Sequence, residues 1–164
     1  MGYIEEQENL TKITNYLDQM GVPYKMQDIG DKQGEKFPAL ICTYRSHELD
    51  FDVIIYNLGH WIHVKCMVMN VINLSAQTKL EIFELCLELN YDLPECTFST
   101  YKKNIFIEID CLKDIDFDDF SAEFQSIGDG IEAFVENVTK DSEIKITGTK
   151  GQLSQNNTRR SSKK

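Results

Sequence analysis

The three histidines of the chain, His47, His60 and His63, fall within one predicted hairpin region, where imidazoles could bind a metal or act as bases. His60 and His63 are three residues apart, and the same spacing separates His63 from Cys66. Side chains on a strand alternate between its faces, so residues three apart point to opposite faces. Neither pair therefore predicts a metal site. No serine or cysteine nucleophile motif accompanies the histidines.

Two further stretches resemble ligand-binding loops without completing them. The run from Asp114 to Asp119 begins like a calcium loop, which needs Gly at its sixth position and Glu at its twelfth. Those positions hold Asp119 and Gln125, so the acidic residues are better explained as helix-capping groups. Gly128 and Gly130 lie inside a predicted helix with no preceding strand and turn, which excludes a phosphate loop. Their place in a helix instead indicates close packing or a bend.

The five cysteines form no CxxC pair, and each stands within an apolar run: Cys42, Cys66, Cys86, Cys96 and Cys111. This pattern favours reduced, buried thiols over a secreted disulfide framework. Taken with the histidines, it predicts a protein that is not an enzyme. We predict no catalytic residue, no metal ligand and no cofactor-binding residue.

Charge is divided unequally along the 164 residues. Residues 141–164 contain six cations and two anions, a net charge of +4. Because the whole chain has a net charge of −10, the preceding residues 1–140 have a net charge of −14. An acidic body repels nucleic acid and anionic membrane. The acidic residues near the N-terminus do not fit a signal peptide, and no apolar run is long enough to span a bilayer. We therefore expect a cytoplasmic protein with one domain over residues 1–140 and a disordered basic tail over 141–164.

Hydrophobic periodicity predicts an α+β fold in the order α-β-β-β-β-α-β-β-α, with an antiparallel sheet and helices packed on it. Helices are predicted over 3–20, 76–90 and 117–138, with Ser75 and Asp116 as N-caps of the last two. The predicted strands cover 22–29, 37–45, 48–57, 60–69, 97–101 and 105–110, the last two joined across 102–104.

The middle helix is more apolar than a helix covering one sheet face requires, because that role needs a stripe only about 100° wide. Leu80, Phe83 and Leu87 belong to this surplus. The fourth strand carries Trp61, Met67 and Met69 on the side facing away from the helices, among charged residues. Methionine and aromatic side chains suit adaptable binding surfaces, so these six residues are the candidate protein-binding residues. The alternative for the middle helix is that the sheet and the last helix cover it completely.

The order of elements over residues 3–138 resembles the type III secretion chaperone-like fold. The segment LELNYDLPECTFSTYKKNIFIEIDC, in which a helix ends in Leu89-Asn90 and leads directly into a hairpin, looks like the YbjN-type branch. The resemblance implies a small α+β protein, usually dimeric, that binds other proteins without catalysis. Chaperones of this shape dimerise largely through the middle helix and hold an extended client on apolar patches.

The leading hypothesis is therefore a non-enzymatic protein-binding module, chaperone-like or regulatory, that acts as a homodimer on a protein partner or client. A second hypothesis is a small-molecule-binding domain or enzyme with a cleft beside the sheet. A third is an adaptor whose basic tail, with Arg159 and Arg160, contacts nucleic acid, which the acidic body disfavours.

Overall fold

The computed structural model describes residues 3–30, 34 and 36–140, with side chains from Leu10 onward. These residues form three helices and six strands: α1 (Tyr3–Met20), β1 (Tyr24–Gly30), β2 (Lys36–Ser46), β3 (Leu49–Leu58), β4 (Trp61–Asn70), α2 (Ala76–Asp92), β5 (Thr97–Tyr101), β6 (Asn104–Leu112) and α3 (Phe117–Lys140). The predicted α+β class and element order are confirmed. The tail predicted over 141–164 lies outside the described residues.

The six strands form one antiparallel sheet in the order β1-β2-β3-β4-β6-β5. Strands β1 to β4 follow one another as a meander. Helix α2 then carries the chain past β6 to the edge, where β5 begins and turns back into β6. Strands β1 and β5 are therefore the two edges of the sheet.

All three helices share one core with a single face of the sheet. Val53, Cys66 and Ile107 lie side by side across β3, β4 and β6 and are fully buried or nearly so. Burial of such side chains is the main favourable term in folding. The helices contribute Leu10, Ile13 and Leu17 from α1, Ile82, Cys86 and Leu89 from α2, and Phe120, Ile127, Ile131 and Phe134 from α3.

The helix ends follow local sequence signals. The Ser75 side chain accepts a hydrogen bond from the N–H of Thr78, and Asp116 accepts one from the N–H of Asp119, so both predicted N-caps are confirmed. At the end of α1, Gly21 adopts a φ of +69°, which a residue without Cβ adopts at little cost.

The outer face of β4 differs from the prediction at Met69. Met67 pairs with Phe106 and Met69 pairs with Ile105, so β4 contains one extra residue there and forms a bulge. The bulge reverses the alternation, and Met69 is buried in the core at 5% exposure. The prediction that Met69 lies on the outer face with Trp61 is therefore wrong.

Close packing explains the two glycines within α3. A Cβ atom at Gly128 would lie 2.8 Å from Cε2 of Tyr44, and one at Gly130 would overlap Cδ1 of Ile107. The predicted close packing at these positions is confirmed. It brings α3 near to β2 and β6.

Candidate protein-binding surfaces

Helix α2 has apolar residues on two opposite sides. Ile82, Cys86 and Leu89 face the core, where α2 contacts β5 and α3. About half a turn away around the helix, Leu80, Leu87 and Tyr91 are 52%, 69% and 88% exposed. These three residues are the outer stripe of α2. The surplus of apolar residues predicted for this helix is thus left uncovered by the described part of the chain.

Phe83 lies beside the outer stripe and is half-buried against the core. Tyr91 is not among the predicted binding residues, because the predicted helix ends at Asn90. Helix α2 instead continues to Asp92, and Tyr91 then follows Leu87 by four residues on the same side. The spacing of Leu80, Leu87 and Tyr91 was the signal that could have identified it.

The second candidate surface is the sheet face opposite the helices, which contains Trp61 and Met67. Trp61 is 46% exposed and Met67 is half-buried beside Phe106. Aromatic groups continue along this face, where the Tyr56 ring stacks on the imidazole of His63 with ring centroids 5.2 Å apart. We refer to Trp61, Met67 and their neighbours Tyr56 and Phe106 as the outer sheet patch.

The charges of the outer sheet patch are paired within the sheet. Nζ of Lys65 lies 2.7 Å from Oε2 of Glu108 and 4.3 Å from the centre of the Phe106 ring. His63 pairs with Asp110 on the neighbouring strand. Burial favours a higher pKa for Glu108, but hydrogen bonds from Lys65 and Ser99 and the charge of Lys65 together lower it. Paired charges of this kind leave the apolar groups as the available contacts.

The cysteine thiols have no features of catalytic groups. Burial raises the pKa of Cys42, Cys86 and Cys111 to about 12 and that of Cys96 to about 11, and it raises the pKa of Cys66 as well. All five are free and buried. A thiol attacks as its thiolate, which is scarce at neutral pH when the pKa is this high.

A cleft of about 600 Å³ lies beside the sheet, between the end of α1, β2 and α3. This volume falls in the range of small-molecule sites. Burial raises the pKa of Tyr44 in its wall, and the nearby carboxylates Glu132 and Asp129 raise it further. The raised pKa values of Tyr44 and Cys42 both disfavour the ionised forms of these side chains. The apolar residues that line the cleft are Met20, Val22, Cys42, Val53, Phe117, Phe124 and Ile127.

The chain matches no model of a known protein family and no curated protein sequence. Among solved structures, it is similar to a chain in the "Crystal Structure of the ExsC-ExsE Complex", at 12% sequence identity and a TM-score of 0.48. The match covers 77% of this chain and 89% of that chain. The likeness is too weak to identify a family or a partner, and membership of the YbjN-type family stays a prediction. No helix within the described residues is long and apolar enough to cross a membrane.

Proposed function

We propose that this protein is a non-catalytic protein-binding module, chaperone-like or regulatory in role, and that it acts as a homodimer. The observation that carries the proposal is the outer stripe of α2, formed by Leu80, Leu87 and Tyr91. Contiguous apolar patches larger than about a few hundred Å² are rare on soluble monomers and mark interaction sites where they occur. The net charge of −10 keeps a protein with such a patch soluble.

A symmetric dimer through the outer stripe places each of these residues at the interface twice. Burying one leucine side chain contributes about 1.5–3 kcal/mol, so two copies of Leu87 contribute about 3 kcal/mol or more. We therefore expect Leu87→Glu to weaken dimerisation at least about 100-fold. Because Leu87 is largely exposed in the single chain, the variant remains folded.

Sedimentation velocity and light scattering at micromolar concentration test the dimer. The wild type is expected to be dimeric and Leu87→Glu monomeric, with unchanged circular dichroism. Leu58→Glu is the matched control, because Leu58 is 61% exposed but lies at the end of β3, away from α2. A wild-type monomer, or equal dissociation of both variants, would contradict a dimer through the outer stripe.

We assign the outer sheet patch to the partner or client. Trp61 is the only tryptophan of the chain, so its fluorescence reports directly on this face. A partner isolated with the wild type is expected to shift the Trp61 emission to shorter wavelengths as it excludes water. Met67→Glu is expected to weaken the binding of that partner. Leu58→Asp tests whether the strand end beside Trp61 also contributes to that binding. A bound partner that leaves Trp61 emission unchanged would place the client elsewhere.

The cleft supports a second candidate function, the binding of a small apolar ligand. Ser121 lies in its wall and is partly exposed, so Ser121→Leu would fill the cleft without burying a charge. Ligands that raise the melting temperature of the wild type are expected to lose their effect on this variant. An undiminished effect would show that they bind outside the cleft.

A further inference from the structure

The turn between β2 and β3 places a histidine against α3. His47 occupies this turn with a φ of +47°, and its Nε2 atom lies 3.5 Å from Oε2 of Glu132 on α3. Glu136 follows Glu132 by one helical turn and is on the same side of the helix. One ligand atom from each of the three residues lies within 4.8 Å of the others.

Glu132 is held in place from outside this group. The hydroxyl of Tyr44 donates a hydrogen bond of 3.2 Å to Oε1, and the hydroxyl of the buried Ser46 donates one of 2.8 Å to Oε2. A carboxylate has about four acceptor positions, so both oxygens keep lone pairs available. Metal-binding carboxylates are commonly oriented by such outer hydrogen bonds.

Glu132 and Glu136 have no lysine or arginine partner among the ion pairs of the described residues. The imidazole of His47 is the group that lies beside Glu132. The side chains of His47 and Glu132 are 50% and 37% exposed, so an ion can reach them from solvent. Within the described residues, the lack of a lysine or arginine partner and the presence of the His47 imidazole together distinguish this group from a solvated acidic patch.

We propose that His47, Glu132 and Glu136 bind a divalent transition-metal ion of the zinc type. Imidazole nitrogen and carboxylate oxygen are both ligands of Zn²⁺, and three protein ligands leave the fourth tetrahedral position to water. Calcium prefers six to eight oxygen ligands, which this site does not supply. Ligands about 2.1 Å from a tetrahedral ion lie about 3.4 Å apart, so His47 and Glu132 are already at that separation.

The bound ion would join the β2–β3 turn to α3, two elements that are distant in the sequence. Metal binding to the folded state alone stabilises that state by mass action. Zn²⁺ at about 100 times its dissociation constant is therefore expected to raise the melting temperature by about 5–10 °C.

The test uses the untagged full-length chain and Zn²⁺ in competition with a chromogenic chelator. The wild type is expected to bind one equivalent with micromolar affinity, and His47→Gln and Glu136→Gln to bind at least about tenfold more weakly. His60→Gln and Glu84→Gln are the matched controls, because each removes the same chemical group from an exposed position elsewhere. Both controls are expected to bind as the wild type does.

Two further measurements decide the ligands. Zn²⁺ is expected to raise the melting temperature of the wild type and the controls, but not of His47→Gln or Glu136→Gln. The spectrum of the Co²⁺-loaded protein is expected to lack a thiolate charge-transfer band. The proposal is overturned if Zn²⁺ does not saturate one site, if both variants bind like the wild type, or if the Co²⁺ spectrum shows thiolate ligation.

Discussion

The side chain of Asn90 connects α2 to the edge strand β5. Its Nδ2 atom donates a hydrogen bond of 3.1 Å to the carbonyl oxygen of Phe98, and the N–H of Phe98 donates one of 2.5 Å to Oδ1. The amide thus pairs with Phe98 as the peptide group of a neighbouring strand would. Because Phe98 is buried, its backbone groups have little water to replace a lost partner.

Asn90→Ala removes both hydrogen bonds at once. Each contributes about 1 kcal/mol net, and the unpaired groups of Phe98 add about 1 kcal/mol of lost solvation. Alanine has the higher helix propensity and offsets about 0.6 kcal/mol of this loss. We therefore expect the free energy of unfolding to fall by about 2 kcal/mol. With an m value of about 2 kcal/mol/M, the urea midpoint falls by about 1 M.

Urea unfolding and hydrogen exchange at the Phe98 amide measure the effect. Asn137→Ala is the control, because the exposed Asn137 donates to the carbonyl of Ala133 in its own helix and connects no two elements of the described chain. Asn90→Asp keeps the acceptor for the Phe98 N–H but loses the donor, so it should slow exchange relative to Asn90→Ala. Equal stability of Asn90→Ala and Asn137→Ala, or unchanged exchange at Phe98, would show that these two hydrogen bonds do not stabilise the fold.

Two other predictions concern packing and charge. Gly130→Ala gains about 1 kcal/mol of helix propensity, but the new methyl group collides with buried Ile107. We therefore expect a melting temperature lower by about 2–4 °C. A higher melting temperature would contradict close packing at this position. The lowered pKa of Glu108 means that its contribution to stability is present above about pH 4.5 and lost as the pH falls through its folded-state pKa. In chemical unfolding, Lys65→Met should therefore be less stable than the wild type at pH 6, with a smaller difference at pH 3. Lys25→Met should show no such trend.

Local sequence signals were sufficient for most of the fold. Ser75 and Asp116 begin helices through hydrogen bonds within three residues of themselves, so their effect is visible in a short segment. Alternation along β3 also depends only on neighbouring residues, and it places Phe51, Val53 and Ile55 together in the core. Gly130 could be predicted to pack closely, although its neighbour Ile107 could not be named.

Features that depend on distant partners were not predictable in the same way. The bulge that buries Met69 arises from the pairing of β4 with β6, about forty residues further on, and the spacing within β4 does not encode it. The group of His47 and Glu132 also joins residues from a turn and a late helix. The three histidines are close in the sequence, but His47 lies against Glu132 on α3, whereas His63 pairs with Asp110 on β6. A single sequence does not show which distant residues meet.

The two proposed surfaces lie on opposite sides of the sheet. Helix α2 belongs to the helix layer, because Ile82 and Cys86 join the common core. Trp61 and Met67 are on the other face, which no described helix covers. A dimer through the outer stripe would therefore leave an outer sheet patch free on each subunit, giving two client sites per dimer. If the sites are independent, monomeric Leu87→Glu should bind the client with unchanged affinity per site but lose the avidity of two linked sites.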